Sequence, residues 1–213
     1  MKRKVLSLAL FTFIAIITCK SQVIETIPLP PPQKSGGMSL LEALSLRQSG
    51  RSFNDKDLSP QVLSNLLWAA FGVNREDGKR TAPSARNWKE IDIIVVKSDG
   101  WYQYEAEQNA LLKMGNEDLR EYAGQQDFVK TAPVNLIFVA DYGRIPDTND
   151  ETRKFFSAAD AGFISQNVYL YCVSAGLSTV VRGSIDRDRM KEVFMFRPEL
   201  HPVLAQTIGY PGE

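Results

Sequence analysis

The chain has 213 residues, of which 44% are hydrophobic, and this is enough for one compact domain with a single core. Its 25 Lys+Arg balance 25 Asp+Glu, and no basic run follows the N-terminus, so the sequence gives no indication of nucleic-acid binding. The chain has one histidine, His201, and no Cys/His cluster, which leaves little support for a metal site.

The first 20 residues resemble a signal peptide. Lys2–Lys4 are basic, and the apolar stretch Val5–Ile17 is too short to span a bilayer stably. Cys19 follows where cleavage is expected, as in a bacterial lipoprotein, although Thr18 replaces the usual smaller residue. We expect export to the cell envelope, periplasmic or lipid-anchored through Cys19, with an uncleaved or differently cleaved leader as the alternative. Removing residues 1–18 takes away three positive charges and leaves 22 Lys+Arg against 25 Asp+Glu, a net charge of about −3.

Residues 21–38 are predicted to form a linker, and residues 39–213 the folded domain. The linker contains a run rich in proline and then glycine, which predicts a stiff spacer that does not pack on the domain. Ser39 and Glu42 fit a capping box, so we expect the first helix to start there and to run to about Arg47.

The segment Arg47–Phe53 (RQSGRSF) follows this helix. It places two arginines on either side of a Ser-Gly turn, which suits an anionic or carbonyl-rich ligand. The pattern is equally typical of a solvated helix end, where cations offset the helix dipole.

A second polar segment, Thr81–Asn87, lies between a helix and a strand. The helix should begin after Ser59 with Pro60 at its first position, and the apolar strand should cover Ile91–Val96. A loop held at both ends can position a ligand. An ordinary helix-to-strand connection is the alternative.

The remaining elements alternate between strands and helices. We predict strands at 101–106, 134–140, 177–183 and 201–209, and helices at 116–122, 151–177 and 184–196. Cys172 falls in the apolar pattern of the long helix and is expected to be a core residue. Gln166 and Asn167 interrupt that pattern, either as satisfied core amides or as ligand contacts. This order indicates an α/β or α+β layered sheet.

Four segments in this order resemble the nitroreductase family of FMN-dependent oxidoreductases. They are RQSGRSF, LLWAAFGVNREDGKRTAPSARNWKEIDIIVV, AADAGFISQNVYLYCVSAGLSTVVRGSID and AQTIGYP. The resemblance extends from Ser39 to Gly212. It implies an α+β fold with a central mixed sheet flanked by helices, and a homodimer with the long helix at its interface.

The resemblance also implies one FMN in each of two clefts between protomers. Such an enzyme transfers hydride through flavin N5 to a small conjugated acceptor in a ping-pong cycle. NAD(P)H is the family's usual donor, but an exported protein would not ordinarily meet it, so the donor stays open. The alternative is a flavin-binding envelope protein with little or no activity.

The positions that match the family's motifs assign the cofactor contacts. Arg47, Gln48 and Ser49 would hold the phosphate and ribityl chain, and Arg51 would stabilise negative charge at the N1/O2 edge. The partner protomer's loop would contribute Pro83, Ser84, Ala85 and Asn87. Arg182 and Gly183 would lie near N5, where a backbone N–H would contact the flavin and Arg182 would add a cation that favours reduced flavin and anionic substrates.

Overall fold

The computed structural model of the protein describes residues 25–146 and 148–212. Seven strands form one sheet in the order β1-β4-β3-β2-β5-β7-β6. Their bounds are Thr26–Pro28 (β1), Ile91–Lys97 (β2), Gly100–Glu105 (β3), Ala110–Gly115 (β4), Val134–Asp141 (β5), Ser178–Arg182 (β6) and Leu200–Gly209 (β7).

All pairings between these strands are antiparallel. The predicted α+β class with flanking helices is confirmed, but the expectation of mixed strand pairing was wrong. The physical reason lies in the crossover: β5 and β6 run in the same direction, yet β7 inserts between them and pairs antiparallel with both.

Among the described residues, four α-helices flank the sheet: Leu40–Leu46 (α1), Pro60–Phe71 (α2), Asp150–Ser174 (α3) and Arg187–Val193 (α4). The predicted caps are present, because the Ser39 and Ser59 hydroxyls each accept a hydrogen bond from a backbone N–H of the first turn. Long helix α3 packs against α2, and its Cys172 is buried as expected. The pKa of that thiol is raised by burial.

Alternate residues of the central strands point to opposite sides of the sheet, so each side has its own core. On one side, Ile93 and Phe138 pack with α2 and α3. On the other, Ile94 and Ile137 pack with Phe194 just beyond α4. The sheet is therefore covered on both faces, and the long helix crosses one of them.

The region after β3 differs from the prediction. The predicted helix Asn116–Tyr122 is absent, and β4 occupies Ala110–Gly115 before a short 3-10 helix at Arg120–Ala123. Only Ala110 and Leu111 of β4 are buried, which is too short a pattern to identify a strand from sequence.

The proline-rich segment packs on the domain from Glu25 onward. Strand β1 pairs with β4. The Pro30 carbonyl accepts hydrogen bonds from Ser64 and Asn109, and the Met38 N–H donates to Ser174 Oγ at 2.8 Å. The prediction of a free spacer was therefore wrong for residues 25–38, because an extended proline-rich backbone leaves its carbonyls free to accept from a neighbouring surface. The predicted leader, with Cys19, lies outside the described residues.

In the part of the chain that the structure describes, none of the helices is long and apolar enough to cross a membrane. The same residues contain no group of three or more His, Cys, Asp or Glu side chains placed to hold a metal ion.

Candidate functional site

The segment Arg47–Arg51 is attached to both α3 and β6. The Ser49 hydroxyl lies 2.8 Å from the phenol oxygen of Tyr169, a buried residue of α3. That same phenol accepts the Val181 N–H at 3.0 Å, and the Gly50 N–H donates to the Thr179 carbonyl at 3.0 Å. These contacts bring the segment against the edge strand of the sheet.

The two arginines of this segment are available to a ligand. Arg47 is half-buried with its guanidinium carbon 5.3 Å from the centre of the Tyr169 ring, while Gln48 and Arg51 are exposed. Within residues 25–146 and 148–212, neither arginine forms an ion pair with a carboxylate. Two free cations on either side of a hydroxyl form a donor set suited to a phosphate.

The second segment, Pro83–Lys89, has an unusual backbone. Arg86, Asn87 and Lys89 have φ angles of 52°, 59° and 52°, in the left-handed region that residues other than glycine seldom adopt. Such strained conformations persist where the surrounding structure enforces them, and they cluster at functional sites.

Hydrogen bonds within the loop and to two buried carboxyl groups enforce this backbone. The Ala85 N–H donates to Asp160 Oδ2 at 2.8 Å, and the Lys89 N–H donates to Ser84 Oγ at 2.8 Å. The Ser84 hydroxyl donates in turn to Glu90 Oε2 at 3.2 Å. The proton of Ser84 is therefore used inside the loop, whereas Pro83 and Asn87 are exposed.

Arg182 does not provide the free cation that was predicted near the flavin. It is buried at 6% exposure, and its guanidinium donates to the Ala123 carbonyl at 2.9 Å, Asn135 Oδ1 at 3.2 Å and Thr207 Oγ1 at 2.8 Å. Burial lowers its pKa to about 10. Gly183, the next residue, is exposed at the end of β6.

The two predicted ligand-binding segments contact α3 at different levels along its axis. Tyr169 holds the Ser49 segment and Asp160 holds the Ala85 segment. Asp160 and Tyr169 are nine positions apart, which is roughly 13.5 Å along the axis at about 1.5 Å per residue. Within one protomer, the structure does not bring the predicted phosphate contacts and the Pro83–Asn87 loop together.

Known proteins share the sequence pattern and the fold of this chain. The model of the nitroreductase family matches residues 44–210.

The chain belongs to the nitroreductase family.

Its similarity to individual nitroreductase relatives is extensive. A crystal structure from Ralstonia eutropha JMP134, named as a candidate nitroreductase, superposes with a TM-score of 0.84 at 43% identity, covering 88% of this chain and 90% of that one. A candidate nitroreductase of Methanocaldococcus jannaschii is 29% identical over 81% of this chain and 91% of its own length. An NAD(P)H-dependent FMN reductase of Bacillus subtilis is 22% identical over 82% of this chain and 66% of its own length. Membership of the nitroreductase family supports a flavin oxidoreductase function.

Sequence reasoning missed the buried carboxyl pair beside this loop, which consists of Glu90 and Asp160 of α3. Both side chains are buried, and one Glu90 oxygen, Oε1, has no hydrogen-bond partner among the described residues. Desolvation, assisted by the charge of Asp160, raises the pKa of Glu90 to about 7. One sequence feature could have pointed to Glu90, because it is a charged residue directly before the apolar strand β2.

The contacts of the single histidine lie outside these two loops. His201 stacks on Tyr142 with a ring separation of 4.1 Å, and its Nδ1 lies 3.2 Å from Lys191 Nζ. It therefore takes no part in the loop contacts described above.

Proposed function

We propose that the protein is an FMN-dependent oxidoreductase that transfers hydride from NAD(P)H to a small conjugated acceptor, such as a nitroaromatic or a quinone. Apart from the family, one observation carries the proposal: Arg47 and Arg51 stand on either side of Ser49 without carboxylate partners among the described residues. A phosphate-bearing cofactor requires such uncommitted donors.

The residues present fit FMN. Its phosphate needs cations and hydroxyl donors, which Arg47, Gln48 and Ser49 would supply at the surface. The carbonyl-rich edge of its ring needs a donor that tolerates growing negative charge, which is the role assigned to Arg51. Gly183 is exposed directly after β6, the strand that Gly50 contacts. Its backbone N–H would therefore be accessible to the same cofactor.

When bound, FMN supplies the capacity to accept a hydride from one substrate and give it to another. The chain's own residues bind and orient. Arg51 offsets negative charge at the ring edge, and the Pro83–Asn87 loop offers a rigid wall against which a flat substrate can stack. A ping-pong cycle follows from the use of one cleft by donor and acceptor in turn.

We further propose that the active form is a homodimer. Helices α1 and α3 expose large apolar side chains, among them Leu41 at 79% and Phe155 at 66%. Exposed apolar surface of this kind marks protein contacts. A partner would also bring its own Pro83–Asn87 loop to the Arg47–Arg51 segment, which a single protomer does not do.

The test is a spectrum of the purified protein, followed by anaerobic titration with NADH or NADPH and reoxidation with a nitroaromatic. We expect bound FMN, bleaching by at least one nucleotide, and dimer mass in solution. A protein that fails to take up added FMN would reject the proposal. Bound FMN that neither nucleotide reduces would reject NAD(P)H as the donor.

The leader-like sequence favours a second candidate, a flavin-binding envelope protein with little turnover, because exported proteins lie apart from cytoplasmic NAD(P)H. Slow reduction by both nucleotides, despite full FMN occupancy, would support it.

The location of the protein is tested separately. Replacing Cys19 with serine should release the protein from the membrane fraction, and unchanged fractionation would contradict lipid attachment.

A further inference from the structure

A pocket of about 330 Å³ lies between the Pro83–Asn87 loop and the hairpin that precedes it. Its walls carry four basic side chains, Arg75, Lys79, Arg80 and Lys89. Among the described residues, no acidic side chain lines it. Ser84 and Asn87, both predicted flavin contacts, also line the pocket. The pocket therefore shares two lining residues with the proposed flavin site.

The hairpin that carries three of these cations is held in place by backbone hydrogen bonds. Val73 and Arg80 form an antiparallel bridge, and the Asn74 N–H donates to the Lys79 carbonyl at 3.1 Å. The Thr81 N–H donates to the Gly72 carbonyl at 2.9 Å, which fixes the end of the hairpin against α2. A ligand would thus meet basic groups on a wall that is already ordered.

Arg80 is the most strongly positioned of the four. Its guanidinium carbon lies 5.4 Å from the centre of the Phe71 ring, and its Nη1 donates to the Phe71 carbonyl at 3.4 Å. Its Nε is buried and has no hydrogen-bond partner within the described residues. A buried donor without a partner is costly, so this group gains from any acceptor that reaches it.

The carboxylates near these cations hold them weakly. Lys79 pairs with Asp77 at 2.7 Å, and Arg80 pairs with Glu107 at 3.2 Å. Both carboxylates are about half exposed, so these pairs contribute little and a ligand can compete with them. Lys89 forms no ion pair with any described residue. The pocket therefore keeps a positive potential.

We propose that this basic pocket binds a phosphate or carboxylate group of a redox substrate and thereby favours anionic donors or acceptors. The assignment rests on the proposed function, because it places the reacting part of that substrate beside the flavin contacts Ser84 and Asn87. The anionic group can belong to the nucleotide donor or to the acceptor, and the experiment below separates these two sources.

The test is the double variant Lys79→Gln/Lys89→Gln, which removes two charges from the pocket. One arm compares NADPH with NADH, which lacks the extra phosphate, and the other compares para-nitrobenzoate with the neutral para-nitrobenzamide. We expect the preference for the more negatively charged member of one pair, measured as a ratio of kcat/KM, to fall by roughly 10-fold. A fall in the first ratio assigns the group to the donor, and a fall in the second assigns it to the acceptor.

The matched control is Lys113→Gln/Lys130→Gln, which removes two lysines that also form ion pairs but do not line the pocket. It should leave both ratios unchanged. If the pocket variant shows the same ratios as the control, the proposal is wrong. It is also wrong if the pocket variant loses FMN while both ratios stay unchanged, because the pocket would then serve the cofactor's own phosphate.

Calorimetric titration with inorganic pyrophosphate measures the pocket without turnover. We expect binding to the wild type and to the control but at least several-fold weaker binding to the pocket variant. If the wild type takes up no FMN, the proposed function fails while this titration still decides whether the pocket binds anions. Equal pyrophosphate affinity in all three proteins overturns the inference by itself.

Discussion

Two segments are assigned to the same ligand, yet they are built in opposite ways. Most of Arg47–Arg51 lies at the surface, and its two arginines form no ion pairs with described residues. Pro83–Lys89 contains three residues in the left-handed region and hydrogen bonds to two buried carboxyl groups. The first segment provides charge that can adjust to a ligand, and the second provides a fixed shape.

This difference has an energetic basis. A left-handed residue other than glycine costs on the order of 1 kcal/mol, so the Pro83–Lys89 loop needs compensation from elsewhere. Hydrogen bonds to Asp160 and Glu90 provide it, because bonds to ionised or buried acceptors are stronger than average. A loop ordered in advance loses little entropy when a ligand binds.

The largest effect is expected from replacing Arg51 with alanine. If the exposed segment contributes charge, FMN affinity should fall by roughly 10- to 100-fold, which corresponds to about 1.5–3 kcal/mol for a hydrogen bond to a charged group. The flavin midpoint potential should become more negative. Fluorescence titration and spectroelectrochemistry measure the two quantities.

A suitable control for Arg51→Ala is Arg189→Ala. Arg189 is another exposed arginine, and its ion pair with Glu192 lies within α4. It should retain FMN at wild-type affinity. An Arg51→Ala protein with unchanged potential would contradict the electrostatic role of Arg51.

The second prediction concerns Asp160. Replacement by alanine removes the acceptor of the Ala85 N–H, so the free energy of unfolding should fall by about 1 kcal/mol, the lower end of the cost of leaving a donor unsatisfied, because this donor is partly buried. Asparagine keeps an oxygen at this position and should recover much of the loss. Denaturant unfolding of both variants measures the difference, and equal loss in both would refute the hydrogen-bond argument.

The third prediction uses pH. The pKa of Glu90 is raised from 4.5 to about 7, so between these values the folded protein keeps a proton that the unfolded chain has released. The stability of the wild type should therefore decrease as pH rises through this window. Glu90→Gln removes the titration, and its Tm should exceed that of the wild type above pH 7 but approach it toward pH 5. Parallel pH profiles would exclude this role for Glu90.

The smallest effect is expected at the attachment of the exposed segment. Tyr169→Phe removes the phenol that contacts Ser49 and accepts the Val181 N–H, at a cost of about 1 kcal/mol. FMN affinity should weaken only a few-fold. A loss as large as that of Arg51→Ala would show that the segment depends on its attachment as much as on its charge.

The sequence was sufficient for most of the fold because long periodic segments carry a strong signal. The strand Val134–Asp141 is buried throughout and was predicted to within one residue. The short β4 was not identifiable, because two buried residues do not establish a period. The pairing order of the strands was not predictable from the sequence either, because the position of β7 between β5 and β6 depends on the tertiary structure.

For the candidate site, motifs located the segments but did not give the direction of side chains. Arg182 matches a position near the proposed flavin, yet its side chain turns into the domain, where Gly124 leaves the space that its guanidinium occupies. The pairing of Glu90 with Asp160 joins residues 70 positions apart and has no local signature. The direction of Arg182 and the pairing of these carboxyl groups both require coordinates.

Strand β1 has a consequence for solubility. Its three residues, ending at Pro28, cover the outer hydrogen-bonding edge of β4. An open edge strand invites pairing with other chains, whereas a short strand that ends in proline discourages it. A truncation that starts at Ser39 would uncover this edge, and we expect it to aggregate, whereas one that starts before Glu25 should stay monodisperse in light scattering.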